Sequence, residues 1–175
     1  GECLGIVGRN GSGKSTLLKL LAKTYTPSSG EVIVYGKIMP LLNLGFGFEM
    51  NLSGRENVFL FGSLLGLSKE EINSKMKQLI EYFEFPEFID RKFKSYSDGM
   101  KLRLAFATVM VTNPDIVIID EGIVVGDYSF QLRSLTKIKQ LKKEGKTIVI
   151  ASHDFELIKS LCDYTICLEN GKIIK

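Results

Sequence analysis

Residues 8–16 read G-R-N-G-S-G-K-S-T. From Gly8 to Ser15 the stretch fits G-x-x-x-x-G-K-[ST], and Thr16 follows directly. Residues 3–7 before it are a short apolar run with the composition of a buried strand. After it comes an amphipathic helix in which Leu17, Leu20 and Leu21 share one face, while Lys19 and Lys23 lie elsewhere. Strand, glycine loop, helix is the context in which this motif cradles phosphate. The glycines turn backbone N–H groups inward, and the helix adds the positive end of its dipole. Gly8, Arg9, Asn10, Gly11, Ser12, Gly13, Lys14, Ser15 and Thr16 are therefore the expected contacts to a nucleotide's phosphates. Lys14 is expected on the β- and γ-phosphates, and Ser15 on Mg²⁺.

Outward from this loop, T-P-S-S-G at 26–30 reads as a turn, 31–35 as a strand closed by Gly36, and 37–50 as irregular chain rich in Gly and Phe. The middle is helical. Ser53 with Glu56 and Ser68 with Glu71 are capping boxes that open helices reaching about 66 and 83. Phe85-Pro86 breaks the second. Leu102, Ala105, Phe106 and Val109 repeat at helical spacing up to Asn113-Pro114. Then strands at 116–119, 147–151 and 164–168 alternate with helices at 128–143 and 154–161, and Asn170-Gly171 signals a hairpin. The expected class is α/β: a P-loop NTPase core with a mostly parallel sheet and helices on both faces, plus an inserted α-helical subdomain. We place the core at 1–46 and 113–175 and the insert at 47–112, together one domain. Gly1 opens inside an expected strand, which reads as a chain truncated at its N-terminus.

Composition narrows the function classes. The chain has 175 residues, 45% hydrophobic and 25% charged, enough for a real core. A net charge of +3 with scattered Lys and Arg makes nucleic acid an unexpected partner. The longest apolar run, 58–67, is far short of the ~20 residues of a membrane span. Cys3, Cys162 and Cys167 form no metal or disulfide spacing and read as small reduced core residues.

Two further stretches carry chemistry. I-V-I-I-D-E at 116–121 delivers two carboxylates at the C-terminal end of a buried strand, where parallel sheets bind ligands. Asp120 would hold the Mg²⁺ shell, and Glu121 would polarise an attacking water as general base. S-Y-S-D-G-M at 95–100 puts Ser97 and Gly99 at a helix start. There they could offer a hydroxyl and free N–H groups to an anion. Ser97 could equally be a plain N-cap. His153, the single histidine, ends the strand T-I-V-I-A-S on the edge where phosphates should lie.

Taken in order, G-R-N-G-S-G-K-S-T, Y-S-D-G-M, I-V-I-I-D-E and His153 resemble an ABC-transporter ATPase subunit over essentially the whole chain. The resemblance makes Y-S-D-G-M the signature motif, so Ser97 and Gly99 would bind the γ-phosphate of another copy's ATP in a head-to-tail, ATP-dependent homodimer. His153 would hydrogen-bond the γ-phosphate and the attacking water. L-N-L-G-F-G-F-E-M-N-L-S-G-R-E-N at 42–57 and V-V-G-D at 124–127 resemble the branch that exports O-antigen, teichoic acid and capsular polysaccharide. Asp127 would then contact the opposite phosphate loop. The resemblance implies ATP and Mg²⁺ as cofactors, an integral membrane permease as partner, and a peripheral place on the cytoplasmic face of the membrane.

Some positions depart from the family pattern. Asp98 stands where Gly or Ser is expected, and Met100 where Gln is common. The Gln that links nucleotide to membrane partner is absent from 37–52, with Asn43 and Glu49 as candidate substitutes. The adenine-stacking aromatic falls upstream of Gly1. Phe46 and Phe48 are candidate partner contacts or local core. The competing reading is a soluble ABC-type ATPase, or a weakly hydrolysing nucleotide-binding scaffold, with no membrane partner.

Overall fold

A computed structural model describes residues 1–42, 48–120 and 127–174, apart from the Met110 side chain. The chain divides into two compact units, Gly1–Leu42 with Pro114–Lys175, and Asn43–Asn113.

The first unit is built on strands β1 (Cys3–Val7), β2 (Ile38–Leu41), β3 (Ile116–Asp120), β4 (Thr147–Ala151), β5 (Tyr164–Glu169) and β6 (Lys172–Ile174). They form a sheet in the order β2-β3-β4-β1-β5-β6, parallel except for the β5–β6 hairpin. Val117–Ile119 and Ile148–Ala151 are buried without interruption, as expected of strands covered on both faces. Strand β1 shows which helix covers which face. Ile6 joins Leu18 of α1 (Lys14–Leu21) in one apolar cluster with Ile118, Val149 and Leu168. Gly5, pointing the other way, lies against α6 (Phe155–Leu161): a Cβ there would stand 2.4 Å from Ile158 Cγ2. Helices therefore lie on both faces. Helix α5 (Tyr128–Lys143) buries Phe130, Ser134, Ile138 and Leu141 at helical spacing.

The second unit holds α2 (Gly54–Leu64), α3 (Lys69–Phe83) and α4 (Asp98–Thr112). Both expected capping boxes are formed, with Ser53 accepting from Glu56 N and Ser68 from Glu71 N. Helix α3 turns Ile72, Met76, Leu79 and Phe83 inward onto Met100, Leu104, Ala107 and Val111 of α4. It stops at Glu84, which takes a left-handed conformation before Phe85-Pro86.

Two expectations fail around residue 35. Residues 31–35 alternate exposed with half-buried, but pair with no strand among the described residues. Ile33 and Tyr35 are exposed. A β-rich composition makes a strand only when a neighbour supplies the ladder. Strand β2 instead forms at I-M-P-L, inside the stretch expected to be irregular. Pro40 disguises it, yet β2 is an edge strand, where a missing N–H is tolerated.

Candidate functional site

Strand register sets the site. Ala151 of β4 pairs with Ile6 of β1 on one side and with Asp120 of β3 on the other. The three strands are parallel, so Gly8, Asp120 and His153 all emerge at one sheet edge. Gly8, Arg9, Asn10 and His153 line a cleft there, which widens past Ser12 and Phe155 to Cys167, Glu169 and Asn170 and has a volume of about 740 Å³.

The loop is fixed from within. Gly11 and Gly13 take positive φ, 80° and 104°, which side-chain-bearing residues rarely adopt. Gly8 is packed so closely that a Cβ would meet the Leu168 carbonyl oxygen at 2.4 Å. The Ser12 N–H donates to the Arg9 carbonyl (3.1 Å), and Gly171 N–H donates to the Ser12 carbonyl (2.9 Å). The β5–β6 hairpin thus buttresses the loop, a support between residues 159 apart in sequence that no local pattern announces. Lys14 is only 6% exposed. Its ammonium donates to the Gly8 carbonyl (2.8 Å) and the Arg9 carbonyl (3.2 Å). Two of its three N–H donors hold the loop, and one remains for an anion.

Helix α1 starts at this loop with Gly13 as N-cap, no side-chain cap and no acid in its first turn. Its first N–H groups therefore have no side-chain acceptor at the cap, and the dipole adds positive potential. The Ser12 hydroxyl is buried without a hydrogen-bond partner, a place where a ligand atom is owed. These features fit an anionic phosphate. Ser15, exposed on the first turn of α1, and Asp120, half-buried at the end of β3, are hard oxygen donors of the kind Mg²⁺ takes. Among the described residues no three His, Cys, Asp or Glu side chains cluster as a closed metal cage. A cation here would be held by one or two protein oxygens, as Mg²⁺ beside phosphates usually is.

Other expected site residues are placed as follows. His153 is exposed, directly after β4. Next to it, Ser152 Oγ accepts from Asp154 N–H (3.0 Å), and Asp154 caps α6. Asp127 caps α5, accepting from the Phe130 N–H (2.9 Å) and the Ser129 hydroxyl (2.6 Å). Glu121, the first three residues of V-V-G-D, Asn43 and Phe46 lie outside the described residues.

In the second unit Ser97 caps α4, its Oγ accepting from Met100 N–H (3.2 Å). Tyr96 anchors the segment. Its ring stacks on Phe83 (5.5 Å, 15°), and its hydroxyl donates to the Phe88 carbonyl (2.6 Å). Burial, with Asp90 nearby, pushes the phenol's pKa up to about 12. Gly99 has open space at its Cβ position, the nearest atom being Ser97 Oγ at 3.9 Å. Asp98 is 76% exposed and pairs with Lys101 (3.2 Å), so its charge turns to solvent and is partly met. Phe48 packs edge-on against Phe61 and Phe93, at 5.3 and 5.1 Å, which makes it local core. Asn57 went unnoticed in the sequence as a structural centre. Fully buried, it takes the Glu49 N–H on Oδ1 (2.6 Å) and donates to the Glu49 and Ser53 carbonyls (both 2.9 Å).

A family model described as ABC transporter matches residues 1–124. The chain belongs to the ABC transporter family. Over 99% of its length this ABC chain is 45% identical to the O-antigen export system ATP-binding protein of Myxococcus xanthus. It is 43% identical, over the same share, to the teichoic acids export ATP-binding protein of Lactococcus lactis. These relatives fall in the branch to which residues 42–57 and 124–127 pointed. The chain spans 40% and 37% of their lengths. Two solved structures share the fold. One is an ATP-binding subunit of an ABC transporter, with a TM-score of 0.87, 22% identity, and coverage of 98% of this chain and 76% of that one. The other is a dimeric ATP-binding cassette in a post-hydrolysis state with ADP and Pi, with a TM-score of 0.84, 24% identity, and coverage of 99% and 84%.

Proposed function

We propose that this chain is a single ATPase domain that binds and hydrolyses Mg-ATP to drive export of a lipid-linked polysaccharide such as O-antigen, capsule or teichoic acid. The observation that carries the reading is the phosphate loop: a buried Lys14 clamped to the Gly8 and Arg9 carbonyls at the edge shared with Asp120 and His153. The export relatives support the direction and class of transport.

In this mechanism the loop N–H groups of 9–16 surround the β- and γ-phosphates, and Lys14 supplies the charge. Ser15 and Asp120 would hold Mg²⁺, whose chemistry is to neutralise charge developing on the transferred phosphoryl group. Glu121 orients and deprotonates water, and His153 donates to the γ-phosphate. Two copies sit head to tail, with Ser97 and Gly99 of each closing the other's site and Asp127 touching the opposite loop. A separate polytopic permease uses the closing and opening, so the chain works at the cytoplasmic face of the membrane. Among the described residues no helix is long and apolar enough to cross a membrane.

The test combines phosphate release from Mg-ATP with recovery from membranes after mild crosslinking. The proposal expects steady phosphate release and a multi-helix membrane protein on the crosslinked chain. ATP turnover without any membrane partner would favour the soluble ATPase reading, and tight binding without turnover the scaffold.

A further inference from the structure

Far from the phosphate loop, the structure joins two thiols separated by 159 residues. Cys3 Sγ and Cys162 Sγ lie 3.1 Å apart. Cys3 opens β1, so roughly 15 Å of strand, at about 3.3 Å per residue, separates it from the loop. Cys162 is the C-cap residue of α6. Cys3 is fully buried and Cys162 half-buried, so one thiol is reachable and the other stands behind it.

Their surroundings hold them together. The Cys3 N–H donates to Asp163 Oδ2 (2.9 Å), and the Asp163 N–H donates to the Cys3 carbonyl (2.8 Å). Lys142 Nζ ties down the same carboxylate (2.7 Å) and the Leu161 carbonyl (2.9 Å), which brings an ammonium beside the pair. Thiols become reactive in such partly exposed, electropositive settings. The contact with Cys3 draws the Cys162 thiol down from its usual range, against the effect of burial, with Lys142 adding to this. Cys3 is pushed up by its contact with Cys162 and by burial.

We propose that Cys162 and Cys3 are a modification site for hydroperoxides, with Cys162 the attacking thiol and Cys3 the resolving one. The Cys162 thiolate attacks one oxygen of hydrogen peroxide. The S–O bond forms, the O–O bond breaks, hydroxide leaves, and sulfur loses two electrons to give a sulfenic acid. The Cys3 sulfur then attacks Cys162 sulfur. The S–S bond forms, the S–O bond breaks, and the Cys3 proton leaves with the hydroxyl as water. The product is an intrachain disulfide that staples the start of β1 to the end of α6, and a thiol reductant reverses it.

The experiment treats the full chain with hydrogen peroxide, then counts free thiols and maps peptides without reduction. The expected result is a fall from three free thiols to one, a Cys3–Cys162 linked peptide lighter by two hydrogens, and Cys167 still reduced. Dithiothreitol restores three. In Cys3→Ser, a sulfenic-acid trap should label Cys162. In Cys162→Ser, Cys3 should stay unlabelled. Circular dichroism identifies any variant that fails to fold, and the wild-type map decides without either variant. Oxidation of Cys167 ahead of the pair, a disulfide between chains, or three thiols surviving treatment would each overturn the assignment.

Discussion

Helices α1 and α4 both begin on a turn of glycine and serine, but their first turns are finished differently. Helix α1 has Gly13 as N-cap, no side-chain cap and no acid in the first turn. The Gly8 and Arg9 carbonyls of its loop are occupied by Lys14, and the same loop residues line an open cleft. Helix α4 carries its own cap, with Ser97 Oγ accepting from Met100 N–H, and the charge of Asp98 is partly met by Lys101. The first start is incomplete without an anion. The second carries a cap of its own, so its serine hydroxyl can serve a nucleotide only when something is worth breaking that cap for. This is the physical form that a site shared between two molecules should take: stable alone, and able to exchange a weak local hydrogen bond for a stronger one to phosphate.

The largest effect is expected from the residue proposed as general base. Glu121→Gln should slow phosphate release by roughly 10²–10⁴-fold, the usual general-base contribution, while ATP still binds. An unchanged rate in a phosphate-release assay would move the base elsewhere. Next, Lys14→Ala should weaken Mg-ATP by about 10–150-fold in calorimetric titration, as expected for a lost charged hydrogen bond of about 1.5–3 kcal/mol. Wild-type affinity would mean that the α1 start does not hold the phosphates.

Asn57→Ala probes the second unit alone. It removes the acceptor of the part-buried Glu49 N–H and should cost about 0.5–1.5 kcal/mol in a denaturant melt, with Mg-ATP affinity at the phosphate loop unchanged. Smaller still, Ser97→Asp discriminates cap from ligand, since Asp caps helices as well as Ser does. Stability should hold, whereas ATP-dependent pairing should weaken about tenfold or more, ~1.4 kcal/mol. Normal pairing would reduce Ser97 to a cap. Asp98→Asn should change stability by no more than about 0.5 kcal/mol, the scale of an exposed helical pair, and should slightly strengthen pairing by removing a charge near phosphate. Weaker pairing would show that Asp98 itself takes part.

Most of the first helix start was readable, because phosphate chemistry constrains adjacent residues and leaves its mark within nine positions. Helix α5 and strand β4 were readable at their full lengths, since each carries its own periodicity and stop signals. The capping boxes at Ser53 and Ser68 were readable for the same local reason. What escaped depends on partners distant in the chain. Residues 31–35 have strand composition but no ladder, while I-M-P-L becomes β2 because β3 pairs with it despite Pro40. The bond from Gly171 to Ser12, the Cys3–Cys162 contact and the packing of Phe48 on Phe93 join residues that only the fold brings together. Asn57 was visible as a residue but not as a hub, since an asparagine inside a helix sequence gives no sign of being buried.

In the proposed dimer the α4 start of one molecule completes the α1 start of another. Light scattering on Glu121→Gln with and without Mg-ATP tests it most directly, because slowed hydrolysis preserves the bound state. Mg-ATP should convert a 19.5 kDa monomer into a species of twice that mass, and Ser97→Asp in the same background should raise the protein concentration needed for it about tenfold or more. A protein that binds Mg-ATP tightly yet stays monomeric would contradict the claim and leave the two helix starts unrelated in function.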